Sequence, residues 1–110
     1  MNPEIGSKGT KRWFNLEGQL DRLDGPAVEW ADGYKAWYKD DLLHRLDGPA
    51  VEYADGTNIW YKDGLRHRLD GPAYERASGH REWWVNGKQT TEDKLESAVK
   101  LYYCWLVLES

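Results

Sequence analysis

Cysteine is nearly absent: Cys104 is the only one, so no disulfide can form within the chain, and a reducing compartment is the expected setting. Phenylalanine and methionine occur once each, against 7 Trp and 7 Tyr. The indole and phenol rings, rather than Leu or Ile, are therefore expected to supply most of the buried area, at roughly 150–250 Å² per ring. No apolar run is long enough to span a bilayer; the longest covers residues 101–108. The first ten residues lack the apolar segment of a secretory signal. Charge is also weak, at −4. That disfavours nonspecific attraction to a phosphate backbone, and nucleic acid and membrane are both set aside as partners. The expected setting is cytoplasmic, the host cytoplasm if the chain is viral.

What the sequence does have is a repeat. Asp24, Asp47 and Asp70 each begin the word Asp-Gly-Pro-Ala, at a constant spacing of 23 residues. Residues 45–67 nearly reproduce residues 22–44, and residues 68–90 repeat them more loosely. A fixed period of this length marks units that each bury an apolar face on their neighbours. Within each unit, Asp32-Gly33, Asp55-Gly56 and Ser78-Gly79 form one turn column. Asp40-Asp41, Asp63-Gly64 and Asn86-Gly87 form a second. Asp-Gly and Asn-Gly tolerate positive φ and are strong hairpin signals between short runs rich in Val, Trp and Tyr. The fold class is mainly β: an antiparallel meander of stacked 23-residue β-hairpin repeats closed by one C-terminal α-helix.

Residues 1–110 form a single domain of three parts. Residues 1–11, with Gly6, Gly9 and Ser7, are expected to be a flexible arm. Residues 12–90 hold the repeats. Residues 91–110 change character: Thr90 and Thr91 can cap, Glu92 and Asp93 suit a helix N-terminus, and no Gly or Pro follows. A helix over about 91–108 would present Leu95, Ala98, Val99, Tyr102, Trp105 and Leu106 as one apolar face. Leu101, Val107 and Leu108 lie off that face beside Cys104, which predicts an oligomer interface, a homodimer through the helix.

The segment Trp60-Tyr-Lys-Asp-Gly-Leu-Arg-His67, preceded by Tyr53-Ala-Asp-Gly56, resembles a MORN-type repeat in its divergent Trp/Tyr-Tyr-x-Asn/Asp-Gly form. The resemblance covers residues 13–90 and implies hairpins laid side by side in an elongated twisted sheet. It departs from that family where Arg45 or Arg68 follows the His and Asp-Gly-Pro-Ala comes next. The longer His-Arg-x-Asp-Gly-Pro-Ala word resembles small phage and bacterial accessory proteins, which implies an anti-defence setting.

Three groups of side chains are candidates for function. His44-Arg45-x-Asp47 and His67-Arg68-x-Asp70 pair an imidazole with a carboxylate, as a general base would require. Their repetition favours a folding role, and the first copy has Asp21 in place of His. Glu29, Glu52 and Glu75 form a column that Lys35, Lys39, Lys62 and Arg81 can neutralise as a salt-bridge ladder, not a metal site. The aromatic columns Trp37/Trp60/Trp83 and Tyr38/Tyr61/Trp84 point to opposite faces. One should be core, and Tyr38, Tyr61 and Trp84, with His44, His67, Arg45 and Arg68, are the expected binding surface. No cofactor motif is present. The leading function is a non-enzymatic protein-interaction module, of the kind by which a small phage or bacterial inhibitor blocks a host protein. A nucleotide-sequestering protein that uses the aromatic and Arg columns remains open. So does a hydrolase built on the His-Arg-x-Asp words.

Overall fold

The computed structural model describes residues 2–109. Short strands follow one another in chain order: β1 (Glu4–Ile5), β2 (Lys11–Arg12), β3 (Val28–Glu29), β4 (Lys35–Ala36), β5 (Tyr38–Lys39), β6 (Leu42–Leu43), β7 (Val51–Glu52), β8 (Asn58–Ile59), β9 (Tyr61–Lys62), β10 (Leu65–Arg66), β11 (Tyr74–Glu75), β12 (Arg81–Val85) and β13 (Lys88–Thr90). A 3-10 turn at Glu92–Lys94 leads into α1 (Leu95–Glu109). The fold is mainly β, antiparallel throughout, with one C-terminal helix, as the turn chemistry and the strand-forming runs lead one to expect.

The meander is not a single sheet. Nine strands pair in the order β1-β2-β3-β4-β7-β8-β11-β12-β13, while β5-β6 and β9-β10 form separate two-stranded arms. In the last unit the two parts stay continuous, because β12 runs for five residues and pairs with both β11 and β13. The arms are tied to one another at the repeat spacing. The amides of Asp41, Gly64 and Gly87 donate to the carbonyls of Leu20, Leu43 and Arg66. Those of Arg22, Arg45 and Arg68 donate to Tyr38, Tyr61 and Trp84.

Part of the segment expected to be a flexible arm, residues 1–11, instead adds β1 and, with Arg12, β2 to the sheet edge. Lys11 faces Glu29 across the ladder, Arg12 pairs with Glu4, and Lys8 adopts φ 61° to close the hairpin. The two turn columns also differ. Asp63 (φ 50°) with Gly64 and Asn86 (φ 50°) with Gly87 turn with both residues at positive φ. In the other column only Gly33, Gly56 and Gly79 do so, and the preceding Asp32 and Asp55 instead accept an amide from Tyr34 and Thr57.

Register separates two rows on opposite faces. One is Val28–Ala36–Val51–Ile59–Tyr74. The other alternates in charge, Lys11–Glu29–Lys35–Glu52, and continues through Asn58–Glu75–Arg81. The molecule measures 45 × 38 × 17 Å, a slab with little depth. Among the described residues no large side chain is fully buried, and the least exposed are mostly small: Ala27, Ala36, Ala50, Ala73, Val51, Val85 and Ile59, with Tyr102 of α1 beside them. The rings expected to fill the core wall it in instead. Tyr34, Tyr38, Tyr61 and Tyr74 pack half-buried against Val28, Ala36, Val51 and Ile59. Burial raises the phenol of Tyr34 to about 12 and pushes that of Tyr38 up as well.

Candidate interaction surface

The word Arg-Leu-Asp-Gly-Pro builds one corner three times. The guanidinium carbons of Arg22, Arg45 and Arg68 sit 3.8, 3.9 and 4.1 Å from the ring centres of Trp13, Trp37 and Trp60. Each Nε donates to the Asp two residues on, at 3.1, 3.1 and 3.0 Å. Each Nη1 donates to the carbonyl of Pro26, Pro49 or Pro72. Arg45 and Arg68 also reach Glu52 and Glu75. The cation is thus clamped between an indole and a turn, with the alanine column buried on the same face. The glycine after Asp leaves room for this cation: a β-carbon at Gly48 would lie 2.7 Å from the Arg45 guanidinium carbon. Gly25, Gly48 and Gly71 are not at positive φ.

The histidines serve the same arms. His44 Nδ1 accepts the amide of Asp63 at 3.0 Å, and His67 Nδ1 accepts that of Asn86 at 2.8 Å. Asp21, which replaces His in the first copy, accepts the amide of Asp40 through Oδ2 at 2.9 Å. The shared requirement is an acceptor for a turn amide, and a carboxylate meets it as well as an imidazole. Burial pushes the His67 imidazole below its ordinary range, so the acceptor form is favoured.

Of the residues expected to bind, Tyr38 and Tyr61 therefore lie on the core side, Trp84 donates its indole N–H to Glu82, and Arg45, Arg68, His44 and His67 are engaged within the fold. Of the expected salt-bridge ladder the Arg81–Glu75 pair forms; Lys35 lies in register between Glu29 and Glu52, and Lys39 and Lys62 instead line the grooves between corners. Among the described residues no group of three or more His, Cys, Asp or Glu is placed to hold a metal ion. No described helix is long and apolar enough to cross a membrane.

Thr91 stands where a fourth Arg would fall, 23 residues after Arg68, and there the chain leaves the sheet. Its hydroxyl bonds the Asp93 carboxylate rather than capping the turn that follows. Helix α1 then lies over the third corner. Tyr102, 7% exposed, places its ring 4.8 Å from His67 and accepts a hydrogen bond from Lys62 Nζ at 3.1 Å, which holds the ammonium above its usual range. Leu95, Ala98, Val99 and Leu106 are also partly covered, as their spacing predicts, but Trp105 is exposed. The helix exposes Leu101 (71%), Val107 (72%) and Leu108 (84%), with Cys104 also open, as expected of residues off the buried stripe.

Elsewhere the leucine of the corner word is bare: Leu23 is 95% and Leu46 69% exposed, whereas Leu69 lines a groove with Tyr103 and Leu106 of α1 and is partly covered. Nothing in the period announced this contrast, because the three leucines share the word Arg-Leu-Asp-Gly-Pro-Ala and α1 lies beside the last of them. A cleft of about 310 Å³ lies between α1 and the β12–β13 hairpin, lined by Val85, Ala98, Leu101 and Trp105 among others. No protein-family model, curated protein or solved structure matches this chain.

Proposed function

We propose that the chain is a non-enzymatic protein-interaction module that acts by occupying a surface of another protein, and that its contact surface is the α1 side of the slab. The observation that carries this is the exposure of Leu101, Trp105 and Leu108. They fall at i, i+4 and i+7 and so form one stripe. Exposed apolar clusters of this kind favour an interface. The polar words that suggested chemistry are occupied: the guanidiniums are stacked and bonded, and each of the two imidazoles accepts a backbone amide. This argues for protein binding over nucleotide capture or hydrolysis. The MORN-like resemblance supports the same reading, as do the contacts that recur at the repeat spacing. The exposed thiol of Cys104 supports a reducing, cytoplasmic setting.

A photo-crosslinking residue in place of Trp105 should capture a discrete partner from the lysate of the native host. Leu101→Glu with Leu108→Glu should abolish that capture. Equal capture by the double variant would overturn the assignment of the surface. The same stripe, next to the edge strand β13, favours a second reading in which the partner is another copy of this chain.

A further inference from the structure

The groove that α1 lines has a twin that α1 does not reach. Around the third corner, Trp60, Lys62, His67, Arg68 and Leu69 face Arg45, Leu46 and Asp47 across about 550 Å³, beside Tyr102, Tyr103 and Leu106. One repeat earlier, Trp37, Lys39, His44, Arg45 and Leu46 face Arg22, Leu23 and Asp24 across about 630 Å³. Residue for residue this is the same groove shifted by 23, but no segment of α1 lines it. We propose that this second groove binds an amphipathic helix of a partner protein that presents a tyrosine and, one turn on, an aliphatic residue, in the manner of Tyr102 and Leu106. The proposal rests on the reading of the chain as a protein-interaction module.

Three observations carry it. The recognition chemistry is already displayed in cis: Lys62 donates to the Tyr102 hydroxyl and His67 lies against its ring. Lys39 and His44 offer the same ammonium and imidazole one repeat away. The leucine that α1 helps to cover at the third corner, Leu69, has its counterpart bare in Leu46. The spacing also fits. One repeat advances the sheet by two strands, about 10 Å, and helices pack about 8–10 Å apart. A helix in the second groove would thus lie against α1 at ordinary packing distance and cover Tyr103, which is 53% exposed and lines the neighbouring groove. The first groove lacks this chemistry, because Asn15 and Asp21 replace the lysine and histidine. A single additional helix is therefore expected.

The test uses the full chain, in which Tyr102 of α1 already engages Lys62 and His67, and a fluorescein-labelled synthetic peptide of residues 91–110 as the probe helix. Fluorescence anisotropy should show saturable 1:1 binding. Leu46→Glu or Lys39→Ala in the chain, or Tyr102→Ala in the peptide, should each weaken it by about tenfold or more. Leu16→Glu, at an exposed leucine outside both grooves, should leave it unchanged, and circular dichroism should show every variant folded. Absence of saturable binding would overturn the proposal. So would binding that Lys62→Ala weakens and Lys39→Ala does not, since the peptide would then be displacing α1. A wild-type dimer that Leu46→Glu dissociates would also overturn it, with a second copy replacing the partner helix. Loss of peptide binding alongside intact crosslinking from position 105 removes this groove but leaves the interaction module; loss of both removes both.

Discussion

Arg45 lies directly over Gly48, its guanidinium carbon 2.7 Å from where a β-carbon of residue 48 would stand. What a side chain at 48 would meet is the cation above it, held by Trp37, Asp47 and Pro49, and not a strained backbone angle of its own. Gly48→Ala should destabilise the fold by about 1–3 kcal/mol through overpacking. Once Arg45→Ala has removed the guanidinium, the same change should cost much less. A urea-melt double-mutant cycle would measure this coupling. Gly56 is the contrast: at φ 96° with open space around it, its substitution by Ala should be costly whatever its neighbours are. Additive costs at 45 and 48 would refute the clamp.

If His44 serves as an amide acceptor, aspartate should replace it as it does at position 21. His44→Asp should fall within about 0.5 kcal/mol of wild type, and His44→Ala should lose about 1 kcal/mol, the net value of a hydrogen bond. Equal destabilisation by both would assign the ring a packing role instead.

The pH dependence follows from His67. Burial places its folded-state pKa below the ordinary value of about 6.5. Between the two values the unfolded chain takes up the proton first, so acid favours unfolding. The stabilising contribution is complete above about pH 6.5 and is lost as pH falls through the folded pKa. Thermal melts between pH 7 and 5 should show Tm falling in wild type. The drop should be smaller in His67→Asn, which retains an acceptor without a titrating ring. A wild-type Tm that is flat over this window would refute the assignment.

Self-association can be separated from partner binding by sedimentation. If the stripe Leu101/Trp105/Leu108 closes a two-fold interface, wild type should sediment as a dimer at micromolar concentration, and Leu101→Glu with Leu108→Glu as a folded monomer. A monomeric wild type would leave the stripe to a different protein.

Much of this molecule was legible in the 23-residue period. Turn positions and strand alternation depend on neighbours within one unit, and the C-terminal helix with its off-face leucines on spacing within residues 91–108, so local turn chemistry and side-chain spacing are enough to specify them. The sequence also held the hint that Asp21 can replace His, which marks a folding role.

Other features needed the tertiary structure, for identifiable reasons. Trp37 and Tyr38 are adjacent aromatics on opposite faces, and composition alone could not say which would be core. The decision came from cross-strand neighbours: Val28, Val51 and Ile59 lie under the tyrosines, while Arg45 sits on Trp37. The sheet split into arms, and the N-terminal segment joined its edge, through pairings between distant residues. Leu23, Leu46 and Leu69 share the word Arg-Leu-Asp-Gly-Pro-Ala, and α1 lies beside the last of them. A repeat determines the chemistry of each unit by itself. Which copies are covered is decided by the non-repeating helix, and that is a contact between parts of the chain that no period encodes.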